Sequence, residues 1–237
     1  MRGRGRFTRT PRPAIVAPGR RDAMLIAEGS RLVFIGDSIT DCGRGQPFGE
    51  GHLEALGTGY VYHVGAYLGA VHPRARVRVT NVGTSGHTVR DLAARWQRDV
   101  LDLAPQWLSI MIGINDVWRQ FDRPLLVEQA VKPDEYRATL ADLVKKTRPK
   151  LAGLVMMSPY LIEPNAAEPM RKMMDQYGAY VKEIAAANNA VFVDTQAAFN
   201  EILKDVHPMS MAWDRVHPNG VGHLVIARAF LKAVGAL

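Results

Sequence analysis

The sequence contains a single cysteine, and this scarcity excludes several kinds of protein at once. Cys42 has no second cysteine with which to form an intrachain disulfide, and zinc sites built from several thiolates are excluded as well. The chain also lacks any apolar run of about eighteen residues, and its N-terminus has no apolar segment typical of a secretory signal. We therefore expect a cytoplasmic protein without a transmembrane helix.

The motifs of several large enzyme classes are absent too. The chain has no G-x-S-x-G step, no Walker A loop, no G-x-G-x-x-G fingerprint and no H-E-x-x-H. The spacing of His217 and His223, two histidines near each other in the sequence, is not typical of zinc ligands. We therefore predict neither a metal ion nor a cofactor.

The positive charge of the chain is concentrated at its N-terminus. The formal net charge is +7, and residues 1–23 contain seven arginines but only one acidic residue, Asp22. A segment rich in arginine, glycine and proline buries too little apolar surface to offset the entropy lost on ordering. We predict that residues 1–23 form a basic, flexible extension and that residues 24–237 form one catalytic domain. RNA binding through the extension is an alternative that ranks below a solvated tail.

Beyond the extension, short apolar runs alternate with longer amphipathic stretches. This alternation is typical of a parallel sheet whose two faces are covered by helices. We predict a three-layer α/β/α fold with a flavodoxin-like sheet of five strands in the order 2-1-3-4-5. The predicted strands are 32–36, 77–82, 107–112, 153–158 and 191–194, and the predicted helices are 59–71, 88–101, 133–148, 169–188 and 219–234, with a further helical stretch at 196–205.

Residues suited to catalysis follow the predicted strands in a fixed order. Ser38 comes after the first strand, Gly86 after the second and Asn115 after the third, each in a predicted loop. Asp214 and His217 stand in the loop before the last helix. Ligands of such folds bind beyond the carboxyl ends of the strands, so we expect these residues to meet at that edge.

Together these residues could activate and use a serine nucleophile. A serine hydroxyl needs a base, here His217, and an acid group that orients the base, here Asp214. The oxyanion formed by attack on an ester needs fixed donors, and the backbone N–H groups of Ser38 and Gly86 and the side-chain amide of Asn115 are candidates. Taken singly, each residue could instead form a turn, a cap or a surface pair. Their ordered set favours a serine esterase.

Four blocks around these residues carry a resemblance to a known family. GDSIT (36–40), NVGTSGHT (81–88), GIND (113–116) and DRVH (214–217) resemble the SGNH hydrolases, also called GDSL esterases. The family's serine, glycine, asparagine and histidine match Ser38, Gly86, Asn115 and His217, while its leucine of GDSL is Ile39 here. Longer stretches resemble the intracellular acetylxylan esterases of that superfamily. The resemblance implies removal of acetyl groups from xylo-oligosaccharides through an acetyl-serine intermediate.

Four residues beside the motifs are predicted to line the substrate site: Asp37, Trp118, Arg119 and Trp213. Aromatic side chains could hold an acetylated sugar by apolar contact, although ordinary packing explains the tryptophans equally well. The alternative role for Asp37 is support of the loop by hydrogen bonding.

The same catalytic groups serve many acyl substrates, so two alternatives stay open within enzymes. One is a broad short-chain carboxylesterase, and the other is an enzyme similar to lysophospholipases or thioesterases. The expected partner is an acetylated sugar or another short acyl ester, not a membrane. The resemblance also implies self-association into a dimer or a larger assembly such as an octamer.

Overall fold

The structure, a computed structural model, describes residues 24–237. The predicted basic extension, residues 1–23, lies outside the described residues. Five strands form one parallel sheet in the order 2-1-3-4-5, which confirms the predicted topology. They are β1 (Arg31–Gly36), β2 (Arg78–Asn81), β3 (Trp107–Met111), β4 (Gly153–Met157) and β5 (Val191–Val193).

The described residues form eight α-helices around this sheet. They are α1 (Ser38–Asp41), α2 (Tyr60–Val71), α3 (Val89–Trp96), α4 (Ile114–Asp122), α5 (Pro133–Thr147), α6 (Pro169–Ala187), α7 (Thr195–Ile202) and α8 (Gly220–Ala233). A π-helical turn continues α3 as far as Leu101. Within residues 24–237, no helix is both long enough and apolar enough to cross a membrane.

Helices on both faces of the sheet bury its central strands. α2 packs against α8, α3 packs against α5, and α5 packs against α6. All five residues of β3 and all but the first of β1 are buried, as continuous apolar runs require. Asn219 is the N-cap of α8, and its side chain accepts hydrogen bonds from the N–H groups of Val221 and Gly222.

Two helices that the sequence did not predict carry residues of the predicted site. Ser38 is the first residue of α1 and Asn115 is the second residue of α4, so the prediction of loops at both positions was wrong. α1 has only four residues, too few to show a helical period. α4 begins after Gly113 and has the polar pair Asn115 and Asp116 in its first turn, a composition typical of a loop, which concealed the helix start.

A buried arginine connects the carboxyl ends of β1 and β2. The guanidinium of Arg95, on α3, donates to the carbonyls of Gly36 (2.8 Å) and Val82 (2.6 Å). It also donates to Asp99 (2.7 Å) and to Nδ1 of His87 (3.0 Å). These contacts fix the backbone immediately before the predicted nucleophile and before the glycine loop that follows β2.

Replacement of Arg95 by methionine is expected to destabilise the fold by about 3–5 kcal/mol. The change removes one buried donor from Asp99, which then pairs only with Arg98, and one from each of the carbonyls of Gly36 and Val82. Urea unfolding would measure the loss. Arg98→Met is the matched control, because Arg98 pairs with the same Asp99 from an exposed position and should cost at most about 1 kcal/mol. Equal losses in the two variants would contradict this role of Arg95.

Candidate active site

The candidate nucleophile lies where β1 turns directly into α1. Asp37 caps this helix, because its Oδ1 accepts a hydrogen bond from the N–H of Ile39 (3.0 Å). The hydroxyl of Thr40 lies 3.1 Å from the buried hydroxyl of Tyr60, which anchors α1 to α2. Ser38, the first residue of the helix, is therefore held at the carboxyl edge of the sheet with its hydroxyl partly exposed.

A chain of hydrogen bonds links the serine to a histidine and an aspartate. Oγ of Ser38 lies 2.8 Å from Nε2 of His217, and Nδ1 of His217 lies 2.6 Å from Oδ2 of Asp214. The other carboxylate oxygen, Oδ1, accepts the backbone N–H groups of Val216 and His217, both at 2.9 Å. A carboxylate on Nδ1 keeps the proton on that nitrogen, so Nε2 is free to accept the serine proton.

The hydrogen bonds that Asp214 accepts keep its carboxylate ionised. Partial burial acts to raise the pKa of Asp214, but the hydrogen bonds from the His217 side chain and from the two backbone N–H groups outweigh it. The pKa of Asp214 is consequently below its ordinary value. An ionised Asp214 at this distance from Nδ1 has the geometry to stabilise a protonated His217 ring.

Three hydrogen-bond donors border the serine without a full set of partners. Within residues 24–237, the N–H groups of Ser38 and Gly86 have no hydrogen-bond acceptor. Nδ2 of Asn115 donates one N–H to the carbonyl of His87 (3.0 Å), and its second N–H has no acceptor in the same range. These are the donors that the sequence predicted for an oxyanion site.

The loop after β2 holds two glycines with different surroundings. A Cβ at Gly83 would lie 2.3 Å from the backbone N of Asp41, so Gly83 is needed for close packing against α1. Gly86 has a φ of +81°, and a Cβ there would meet no atom within 4 Å, so it faces open space. Asp41 also fixes this loop through hydrogen bonds to the N–H and hydroxyl of Ser85. The surroundings favour Gly86, as predicted, as the glycine that faces a substrate.

The four flanking residues have different positions. Asp37 is only 1% exposed, and burial raises its pKa to about 7. Its side chain accepts the N–H of Ile39, which favours support of the loop over contact with substrate. The ring of Trp118 meets that of His217 edge-on, with centroids 5.8 Å apart. Arg119 donates to Oδ1 of Asn115 (3.0 Å), a contact that the sequence did not predict. Trp213 is 84% exposed, next to the triad aspartate.

A cysteine–histidine pair beside α1 has the wrong charge state for a second nucleophile. Sγ of Cys42 lies 3.2 Å from Nε2 of His223, whose Nδ1 accepts the N–H of Tyr60. Burial, together with the nearby Asp41 and Asp37, raises the pKa of the Cys42 thiol to about 12. Burial also lowers the pKa of His223 to about 4. The pair therefore stays neutral, as a structural cysteine would, although Cys42 is only partly buried.

Comparison with known proteins supplies a family for this arrangement. Residues 34–225 match the model of the GDSL-like Lipase/Acylhydrolase family. An acetylxylan esterase of Geobacillus stearothermophilus is 58% identical over 212 residues, which cover 90% of this chain and 97% of that protein.

Solved structures agree with this match. The crystal structure of that acetylxylan esterase, Axe2, superposes with a TM-score of 0.89 at 57% identity and covers 90% of this chain and 97% of its own. LAE5, an alpha/beta hydrolase enzyme from the metagenome of Lake Arreo in Spain, has a TM-score of 0.89 at 51% identity, with 91% and 99% covered. Variants of Axe2 described as catalytic mutants replace a serine, a histidine and an aspartate. The chain therefore belongs to the GDSL-like lipase/acylhydrolase family, the SGNH hydrolases, and is a carboxylic-ester hydrolase.

Proposed function

We propose that the protein removes acetyl groups from acetylated xylo-oligosaccharides through an acetyl-Ser38 intermediate. The observation that carries the proposal is the unbroken chain of hydrogen bonds from Ser38 through His217 to Asp214, beside donors that have no partner. The acetyl group and the sugar are taken from the relative that is 58% identical and is described as an acetylxylan esterase.

In the first half of the reaction, Oγ of Ser38 attacks the carbonyl carbon of the acetyl ester. Nε2 of His217 takes the serine proton as the new C–O bond forms. The resulting oxyanion is held by the N–H groups of Ser38 and Gly86 and by the amide of Asn115. When this intermediate collapses, the sugar oxygen leaves with the proton from His217, and the acetyl group stays on Ser38.

The second half of the reaction uses water in place of the serine. His217 removes a proton from water, and the hydroxide attacks the acetyl-Ser38 carbonyl to form a second oxyanion at the same donors. Collapse returns the proton to Oγ of Ser38 and releases acetate. Asp214 stays ionised throughout, which its lowered pKa favours, and stabilises the charged imidazole in both halves.

The residues changed in the catalytic mutants of Axe2 support these assignments by their spacing. Its serine and histidine are 179 positions apart, the same separation as Ser38 and His217. Its aspartate precedes its histidine by three positions, as Asp214 precedes His217. A shared spacing of both pairs in a relative that covers most of the chain favours the same three roles here.

The surroundings of Ser38 favour a short acyl group. The apolar space enclosed behind the nucleophile by Ile39, Ile114 and Tyr160 has no room for a water molecule. A long acyl chain could not extend beneath the serine in that direction. On the outer side, exposed Trp213 borders a groove of about 600 Å³ with Met209 and Glu163, where a sugar ring could stack.

Two further predictions from the sequence belong to this proposal. The exposed apolar side chains of Trp213 and Met209 support self-association. A cytoplasmic location implies short imported oligosaccharides as substrates instead of polymeric xylan. The alternative of RNA binding concerns residues 1–23, which lie outside the described residues.

Acetate release from acetylated xylobiose is expected to be rapid and to fall by about 10⁵–10⁶-fold in kcat for Ser38→Ala, because the nucleophile is lost. Thr139→Ala, which removes a partly exposed hydroxyl on α5 outside all the site motifs, is the control and should keep full activity. p-Nitrophenyl acetate and p-nitrophenyl octanoate test the acyl group. Faster hydrolysis of the octanoate would contradict the short-acyl assignment, and activity on the nitrophenyl acetate alone would contradict the sugar.

Asn115→Ala is expected to lower kcat for acetylated xylobiose by about 10²–10³-fold and to leave KM almost unchanged. The reason is that its amide N–H stabilises the oxyanion, which exists only after attack. Steady-state kinetics with the purified variant would measure both constants, with Asn165→Ala as an exposed asparagine control. A rise in KM at constant kcat would assign Asn115 to substrate binding.

A further inference from the structure

We infer that Arg119 is a positioning residue that sets the orientation of the Asn115 amide, and that it does not bind the substrate. This inference rests on the proposed role of Asn115 as an oxyanion donor. It changes the role predicted from the sequence, in which Arg119 was a substrate-binding residue, and it extends the active site to a residue behind the oxyanion donors.

The first support for this inference is the geometry of α4. Residues four apart on a helix lie on the same face, and Arg119 follows Asn115 by four. Nη2 of Arg119 donates to Oδ1 of Asn115 at 3.0 Å. On the other side of the amide, Nδ2 of Asn115 donates to the carbonyl of His87 at 3.0 Å. The Asn115 side chain is thus held at both of its polar atoms.

These two contacts permit only one orientation of the amide. A guanidinium can only donate and a backbone carbonyl can only accept, so each contact recognises one end of the amide. In the flipped amide, Nδ2 would face the N–H groups of Arg119, and Oδ1 would face the carbonyl of His87. Arg119 therefore ensures that an N–H, not an oxygen, is available for the oxyanion.

The charge of Arg119 also makes Asn115 a better donor. A hydrogen bond from a cation to the amide oxygen draws electron density away from the amide nitrogen, which strengthens the hydrogen bonds that the nitrogen donates. Asn115 is 2% exposed, so water screens this effect little.

The guanidinium is held in place by two other contacts on α4. Nη1 of Arg119 pairs with Asp122, and the guanidinium carbon lies 4.6 Å from the ring centroid of Trp118. The side chain of Arg119 is only 17% exposed. Two of its three nitrogens are therefore engaged with protein groups, and little of its surface remains for a sugar.

Loss of Arg119 should reduce turnover without weakening binding. An amide that can flip offers its N–H to the oxyanion for only part of the time, whereas the ester in the ground state needs no such donor. We expect Arg119→Met to lower kcat by about 10-fold, with KM within about twofold of the original value. Arg119→Lys keeps the charge and one donor, so it should recover part of the loss.

A double-mutant cycle between Arg119 and Asn115 tests the inference. Arg119→Met, Asn115→Ala and the double variant would be assayed with acetylated xylobiose and with p-nitrophenyl acetate. We expect the effect of Arg119→Met on kcat to be equal for both esters and to disappear when Asn115 is already alanine. Thermal unfolding of each variant would show that the fold is kept, and Arg119→Lys replaces the methionine variant in the cycle if that variant does not fold.

Other results would overturn the inference in distinguishable ways. An increase in KM for acetylated xylobiose alone, persisting in the Asn115→Ala background, would make Arg119 a substrate-binding residue. A large but incomplete loss of kcat by Asn115→Ala, together with an undiminished effect of Arg119→Met in that background, would leave the proposed function intact but exclude the positioning role. Normal turnover by Asn115→Ala would overturn the oxyanion assignment and the role of Arg119 with it.

Discussion

The active site depends on the buried guanidinium of Arg95, which holds the ends of two neighbouring strands together. Its hydrogen bonds to the carbonyls of Gly36 and Val82 fix the backbone where β1 leads towards α1 and where β2 leads into the glycine loop. Burial lowers the pKa of Arg95, while Asp99 acts to raise it, and the ion pair keeps the cation inside the protein. Helix α1, which begins at Ser38, and the loop that carries Gly86 therefore start from fixed positions.

Much of this architecture follows from the sequence alone. Each predicted strand is present, and its ends differ from the predicted ends by at most one residue, because buried parallel strands are continuous apolar runs. The start of α8 could be predicted from Asn219, since an asparagine before a helical period is a typical N-cap. The predicted nucleophile, base and acid also lie within hydrogen-bond distance of one another in the structure.

The parts that the sequence did not reveal depend on long side chains and short helices. Arginines reach across several residues, so no periodicity shows that Arg95 meets Gly36. The contact of Arg119 with Asn115, four residues apart, was missed because α4 itself was not predicted. The start of α4 was hidden because the glycine before it and the polar pair in its first turn have the composition of a loop. The burial of Asp37 likewise depends on tertiary packing around α1, which a local motif does not encode.

The wide separation of Ser38 and His217 in the sequence affects how the enzyme folds into its active form. Ser38 and His217 are 179 residues apart, and every strand pair is parallel, so almost all of the chain must be in place before these side chains meet. Contacts between such distant residues form slowly, because a long loop must close before they become favourable. Recovery of esterase activity during refolding consequently reports the docking of the C-terminal segment. A nascent chain whose C-terminal segment is still inside the ribosome cannot yet bring Asp214 and His217 to Ser38.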